Sequence, residues 1–215
     1  MDLETVDKLL TTTRTVRRRL DLDKPIDLDI IAECLEIAVQ APTGSNEQGY
    51  HFVLVKDADK RAALAKLYRQ AWNRYRVHAI PRAISRSVRL GPRLARMRPV
   101  GASASYLARH FHQVPLYIIP CVQGRVETES ELMQASLYGS ILPAAWSLML
   151  ALRARGLGAA WTTLHLMYAN EVASLLDIPP NITQAALLAV AHYSGEDFRP
   201  AHRVPARERT HWDSW

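Results

Sequence analysis

The stretch from Ser130 to Arg155 constrains the fold most. Leu132, Ala135, Gly139, Leu142, Trp146 and Met149 recur every three or four residues, a spacing that predicts a long helix. Small residues crowd it (Ala135, Ser136, Gly139, Ser140, Ala144, Ala145, Ser147), so another backbone can approach closely. A helix apolar on so many sides belongs in the centre of a core, in a dimer interface, or in both. Pro143 deletes one hydrogen bond and predicts a bend. Gly156 stands where a left-handed C-cap is wanted, and Gly158 reads as part of the same helix end.

The remaining elements are shorter. Leu3 to Thr12 is a helix candidate with Val6, Leu9 and Leu10 on one side. Pro25 and Asp27 open another, with Ile30, Ile31, Cys34, Leu35 and Ala38 as its buried stripe, Asp27 as N-cap and Gln40 as its end. Tyr50 to Lys56 is a strand with little alternation, so both faces are expected to be buried. Asp57 to Val77 reads as a long helix, with a weaker, mobile and only partly helical pattern expected from Pro81, and Ala102 to His112 as a shorter one. Val114 to Val122, Ala159 to Leu164 and Ala185 to Tyr193 read as strands, and Asn170 to Leu176 as a short helix. There are no internal repeats, and 215 residues suffice for one core, so a single domain over 1–215 is expected.

Hydrophobic content of 48% and charge of 22% are those of a soluble globular chain. No uninterrupted apolar run long enough for a bilayer is read, and the polar, acidic N-terminus is unlike a signal peptide. Cys34 and Cys121, both in apolar segments, suit reduced thiols and a cytoplasmic address. His110 and His112 lie two apart with no cysteine or carboxylate beside them, so no metal site is expected.

Charge is unevenly placed. Residues 60 to 126 carry fourteen Lys or Arg and no Asp or Glu, within a chain whose net charge is +6. Arg82, Arg86, Arg89, Arg93 and Arg96 would share one helical face, though Gly91-Pro92 should interrupt it. Such an arginine-rich excursion is a solvated surface, a rim guiding anionic substrates, or a nucleic-acid surface. The absence of aromatic residues between Tyr75 and Tyr106 weighs against single-strand binding.

Two polar segments carry the candidate chemistry. In Ala41-Pro42-Thr43-Gly44-Ser45-Asn46-Glu47-Gln48, proline ends a helix, glycine permits close backbone approach, and short side chains offer hydrogen bonds. A plain helix-to-strand loop would have the same composition. In Arg14-Thr15-Val16-Arg17, two guanidinium groups three residues apart share a face if helical and, beside a hydroxyl, make a phosphate clamp. A solvated basic turn, or part of a nucleic-acid site including Arg18 and Arg19, fits equally.

Taken together these stretches resemble the FMN-dependent nitroreductase family across nearly the whole chain. The resemblance rests on Arg14-Thr15-Val16-Arg17, on Ala41 to Gln48, on the helix end Leu148 to Gly158 with Trp161-Thr162-Thr163, and on His202-Arg203-Val204-Pro205. Their order is what makes them specific. The resemblance implies an α+β fold, a three-layer α/β/α sandwich around a mostly antiparallel sheet. It also implies an intertwined homodimer with FMN at the subunit interface. Arg14, Thr15, Arg17 and Arg203 would then hold the phosphate. Pro42, Thr43, Gly44 and Asn46 would line the flavin ring and ribityl chain, and Trp161, Thr162 and Thr163 the opposite wall, with a backbone N–H near flavin N5. Two departures stand out: Thr15 replaces the usual serine, and His202 occupies a position where a permanent cation is expected, a weaker phosphate partner. The arginine-rich insert, around 70–110, falls where the family varies and shapes substrate access.

The activity so implied is an FMN-dependent oxidoreductase. NADH or NADPH would reduce the flavin, and a nitroaromatic, quinone or similar small acceptor would reoxidise it in a ping-pong cycle. No Ser-His-Asp, Cys-His or paired-carboxylate constellation is read in the sequence, and such a flavoenzyme needs none. A flavin-fragmenting or reductive-dehalogenating relative, an inert FMN carrier, and a basic nucleic-acid-binding protein are the competing readings.

Overall fold

The computed structural model describes residues 2–87, 91–195 and 198–215, without the side chains of 78–98. The arginine face expected of Arg82, Arg86, Arg89, Arg93 and Arg96 lies outside the described side chains.

Two central strands set the architecture. Strand β3 (Leu116–Gln123) is buried at every position but the last, and β6 (Leu187–Tyr193) at its first five. Because side chains alternate across a sheet, residues that are apolar at every position need cover on both faces. Leu116, Ile118, Leu188 and Val190 pack against α2 (Leu28–Ala38) and α5 (Glu131–Ala154). Tyr117, Ile119, Leu187 and Ala189 point the other way, into a cluster with α3 (Ala58–Ser87), α4 (Gly91–His110) and α6 (Ala169–Leu176). The result is the expected three-layer α/β/α sandwich.

All strand pairs are antiparallel. β6 pairs along one edge with β4 (Leu157–Thr162) and along the other with β3 and the two-residue β1 (Leu20–Asp21); β3 also pairs with β2 (Tyr50–Val55) and β5 (Ile182–Gln184). Register slips by one residue between the pairs Ile118–Leu188 and Cys121–Gln184. Pro120, which has no N–H to give a ladder, sits opposite this bulge, and its carbonyl accepts from the Ala185 N–H at 2.9 Å.

Several local expectations hold. Helix α1 covers Leu3–Thr12, Asp27 caps α2 through Asp29 N–H at 2.9 Å, and Gly156 ends α5 at φ +76°. Others change. Strand β2 is an edge strand, so Leu54 is 40% exposed and the strand is not buried on both faces. Helix α3 runs ten residues past the expected Val77 end, to Ser87, because the proline at 81 deletes one helical bond without having to end the helix. Helix α5 is long and apolar enough, by length and composition, to cross a membrane, a property the sequence reading did not register. Its C-terminal half lies inside the core (Leu148 and Leu152 fully buried), while Leu132 and Met133 near its start are exposed.

Gly158 is not a cap. A Cβ there would meet Val16 Cβ and Leu20 Cδ2, each at 3.2 Å, because the segment after α1 lies directly on β4. The Val16 N–H donates to the Ala159 carbonyl at 2.9 Å across this contact.

Two tests follow from the packing. Gly158→Val would wedge the two backbones apart and cost about 1–3 kcal/mol, the usual penalty of overpacking. A urea midpoint unchanged from wild type would show that the close approach is dispensable. His165 is 1% exposed, neither ring nitrogen has a hydrogen-bond partner, and burial holds its pKa down to about 4. The unfolded chain takes up that proton near pH 6.5 and the folded chain does not, so stability falls as pH drops from about 6.5 to 4, by about 3 kcal/mol in all. Denaturation of wild type and His165→Leu across this range should give curves that diverge from parallel; parallel curves would refute the assignment.

Candidate active site

The segment carrying Arg14 and Arg17 is not a helical turn: residues 13–17 belong to no helix or strand, and Thr13 is extended. The two arginines reach different partners, one on the tail and one on a helix. Arg14 Nη2 donates to the Arg199 carbonyl at 2.6 Å, and Arg17 Nη1 reaches Ser103 Oγ of α4 at 3.5 Å. Both still line one groove of about 410 Å³, together with Thr15, Ser103, Phe198 and Arg199.

The electrostatics of this groove are unusual. Among the described residues neither Arg14 nor Arg17 forms an ion pair with a carboxylate, and Arg14 Nε is buried without a hydrogen-bond partner. Burial lowers the Arg17 pKa, with a smaller opposing effect from Tyr68. A buried N–H left without an acceptor costs about 1–3 kcal/mol, so the groove is short of an anion. Arg19 lies over the Phe198 ring at 4.0 Å and donates through Nε to the Ser194 carbonyl, which fixes the tail against the groove.

Trp161, Thr162 and Thr163 close strand β4. Trp161 is half-buried against the α2–α5 cluster, whereas Thr162 faces the other layer, where its hydroxyl accepts from Leu164 N–H and reaches the Tyr68 hydroxyl at 3.5 Å. Thr163 is exposed. Tyr68 thus meets Thr162 directly, while its effect on Arg17 is electrostatic only.

The Pro42–Asn46 loop stands apart. Gly44 N–H donates to Ser140 Oγ of α5 at 2.9 Å, and a Cβ on Gly44 would come within 2.7 Å of Ser136 Oγ. Ser45, Asn46 and Gln48 hold φ of +50°, +55° and +50°, a left-handed conformation that costs a non-glycine residue energy and collects at functional sites. Gln48 N–H donates to Thr43 Oγ1 at 3.1 Å and Gln48 Nε2 to Asn46 Oδ1 at 3.3 Å. Pro42 borders a second groove between α1, α2 and α5, lined by Leu9, Ile37, Pro143 and Ser147. Among the described residues no hydrogen bond joins this loop to the arginine groove or to Trp161–Thr163.

Arg203 is not in the groove. It is exposed, and its Nη1 donates to the carbonyl of its neighbour His202 at 3.2 Å. The tail residues that line the groove are Phe198 and Arg199, which sequence reasoning left unassigned. Ser103 and Tyr68 were also missed. Neither carries a motif, and only the fold brings α3 and α4 against residue 17.

Known proteins place this architecture. The model of the Nitroreductase family matches residues 10–192. A 5,6-dimethylbenzimidazole synthase of Rhodospirillum rubrum is 28% identical over 211 residues, covering 97% of this chain and 89% of that protein. Two solved structures share the fold at lower identity. Iodotyrosine deiodinase, solved with FMN and 3-iodo-L-tyrosine, superposes with a TM-score of 0.70 at 19% identity, over 96% of this chain and 98% of its own. Nitroreductase A of Vibrio parahaemolyticus gives 0.67 at 18%, over 97% and 75%. With the family model spanning most of its length and the same three-layer architecture in its relatives, the chain belongs to the nitroreductase family.

Proposed function

We propose that the protein is an FMN-dependent oxidoreductase, working as a homodimer. The observation that carries this reading is the arginine groove: two guanidinium groups without carboxylate partners among the described residues, one with a buried N–H lacking an acceptor, on the segment that bonds β4 through Val16. These residues fit a flavin phosphate. Bound FMN would supply the redox chemistry, accepting hydride from NADH or NADPH and passing electrons to a small acceptor such as a nitroaromatic or quinone.

The chain's own contribution is binding and orientation. Arg14 and Arg17 would neutralise the phosphate, with Thr15 beside them, and Trp161–Thr163 would bound the ring. Among the described residues of one chain the Pro42, Thr43, Gly44 and Asn46 loop has no hydrogen bond to that groove, so in this reading a second copy supplies it. The exposed apolar start of α5 supports such a dimer, since Leu132 is 76% and Met133 49% exposed beside the helix that docks the loop. The exposed Arg203 has no place in the one-chain groove and would act only across that dimer.

A second reading is favoured by the Rhodospirillum rubrum relative, whose similarity runs the length of this chain. There the flavin itself would be the substrate and be broken down rather than recycled.

The purified protein is expected to be yellow and to bleach on anaerobic addition of NADH or NADPH. Chromatography of the flavin after aerobic turnover separates the two readings. Intact FMN supports the oxidoreductase, and loss of FMN with appearance of 5,6-dimethylbenzimidazole supports the second. A colourless protein that takes up no added FMN refutes both. Arg17→Ala should weaken FMN binding at least tenfold in a fluorescence titration while leaving riboflavin, which has no phosphate, unaffected.

A further inference from the structure

We propose that Phe198, in the tail after β6, is a positioning residue of the arginine groove: its ring, with the neighbouring Arg199 carbonyl, aims Arg14 at the anionic group that the groove takes up. The inference rests on the cofactor reading above and adds a residue that no motif marks.

Arg14 is held by the tail rather than by its own segment. Its Nη2 donates to the Arg199 carbonyl at 2.6 Å, and its guanidinium carbon stands 6.0 Å from the centre of the Phe198 ring. Both partners are consecutive tail residues, and both line the groove together with Arg14. The carbonyl takes one N–H donor, and Nε is buried with no acceptor. A cation is drawn to the face of an aromatic ring, yet the ring accepts none of its in-plane N–H bonds. A carboxylate in the same place would take those bonds and cancel the charge. The ring therefore fixes Arg14 while leaving both its charge and its spare donors for a ligand oxygen.

Phe198 is itself fixed from several sides. Its ring centroid lies 5.1 Å from that of Tyr193 at the end of β6, with the planes tilted by 47°. Arg19 stands over the ring at 4.0 Å and Arg153, in the last turn of α5, at 5.1 Å. Arg153 also donates to the Tyr193 hydroxyl, and Arg19 Nε donates to the Ser194 carbonyl at 2.7 Å. The Ser194 N–H returns a bond to the Arg19 carbonyl at 2.8 Å, so the tail leaves β6 pinned against residue 19. Three guanidinium groups thus gather on one ring. Like charges this close repel one another, and the shared π face offsets part of that repulsion. Without the face, Arg14 would be free to turn away, and a phosphate would have to order it on binding. What the position needs is an aromatic face, and apolar bulk alone does not supply it.

The test is a titration of flavin-free full-length protein with FMN and with riboflavin, followed by flavin fluorescence. The chains compared are wild type, Phe198→Leu, Phe198→Tyr, Arg14→Ala and the double variant Phe198→Leu with Arg14→Ala. Phe198→Leu keeps apolar bulk but has no π face, and should lose about fivefold in affinity for FMN and nothing for riboflavin. Phe198→Tyr keeps the face and should bind FMN as wild type does. In the double variant the leucine should add nothing to the loss caused by Arg14→Ala, because the ring acts through that arginine. The preference for FMN is a ratio of two affinities, so partial unfolding of a variant cancels from it. Unchanged FMN affinity in Phe198→Leu, an equal loss for both flavins, an equal loss in Phe198→Tyr, or additive losses in the double variant would make Phe198 a packing residue and overturn the proposal. If wild type does not prefer FMN to riboflavin, or Arg14→Ala leaves the preference intact, the phosphate site itself is wrong and the role of Phe198 falls with it.

Discussion

The structure depends on the lack of any solvent face for strands β3 and β6. Every apolar side chain they carry must be covered, at roughly 25 cal/mol per Å² removed from water, and no single helix layer can cover both sides. Two layers are therefore obligatory, and openings remain only at the two sheet edges. At one edge, β4 receives the segment after α1 through the Val16 N–H to Ala159 carbonyl bond. At the other, β2 and the loop before it stay accessible. The candidate residues collect at those edges because the sheet interior leaves no room for polar groups.

At the β4 edge, packing and electrostatics oppose each other. Gly158 lets Val16 settle against the strand, and that contact fixes where Arg14 and Arg17 emerge. The same contact draws them into a partly buried setting where a cation is disfavoured, hence the lowered Arg17 pKa. Among the described residues no carboxylate offsets this cost. A bound anion would relieve it, so ligand binding and local stability should be linked through these arginines.

Much of this was legible in the sequence, for identifiable reasons. Helix ends were clear where a cap chemistry was present, as at Asp27 and Gly156, and α5 was clear because its period persists over many turns. The edge position of β2 was not, since an apolar strand reads the same whether its neighbour is a strand of the same chain or something else. The two glycines of Gly156-Leu157-Gly158 look alike in sequence, yet one answers a positive φ and the other the Val16 and Leu20 side chains packed over it. In the site, Arg14 and Arg17 were found by residue type, but their supposed helical pairing was wrong. Tyr68, Ser103, Phe198 and Arg199 could not be found at all, because each owes its place to contacts across 86 or more residues.

The division of the motif residues into two groups follows from how α5 is used. Its C-terminal half serves the core, while its N-terminal half carries the Ser136 and Ser140 hydroxyls against which the Pro42–Asn46 loop is shaped. The loop's left-handed residues are thus held by the chain's own helix before any partner arrives, so its strain is stored in the single chain. The arginine groove is likewise built by one chain, from α4, the tail and the segment after α1. A flavin whose phosphate occupied the groove would need its ring wall completed by a loop that this chain places elsewhere. In the proposed dimer each chain contributes one finished half to each of two sites, and neither half has to refold when the copies meet. Such preorganisation suits a reaction in which the cofactor does the chemistry and the protein's task is to hold it still.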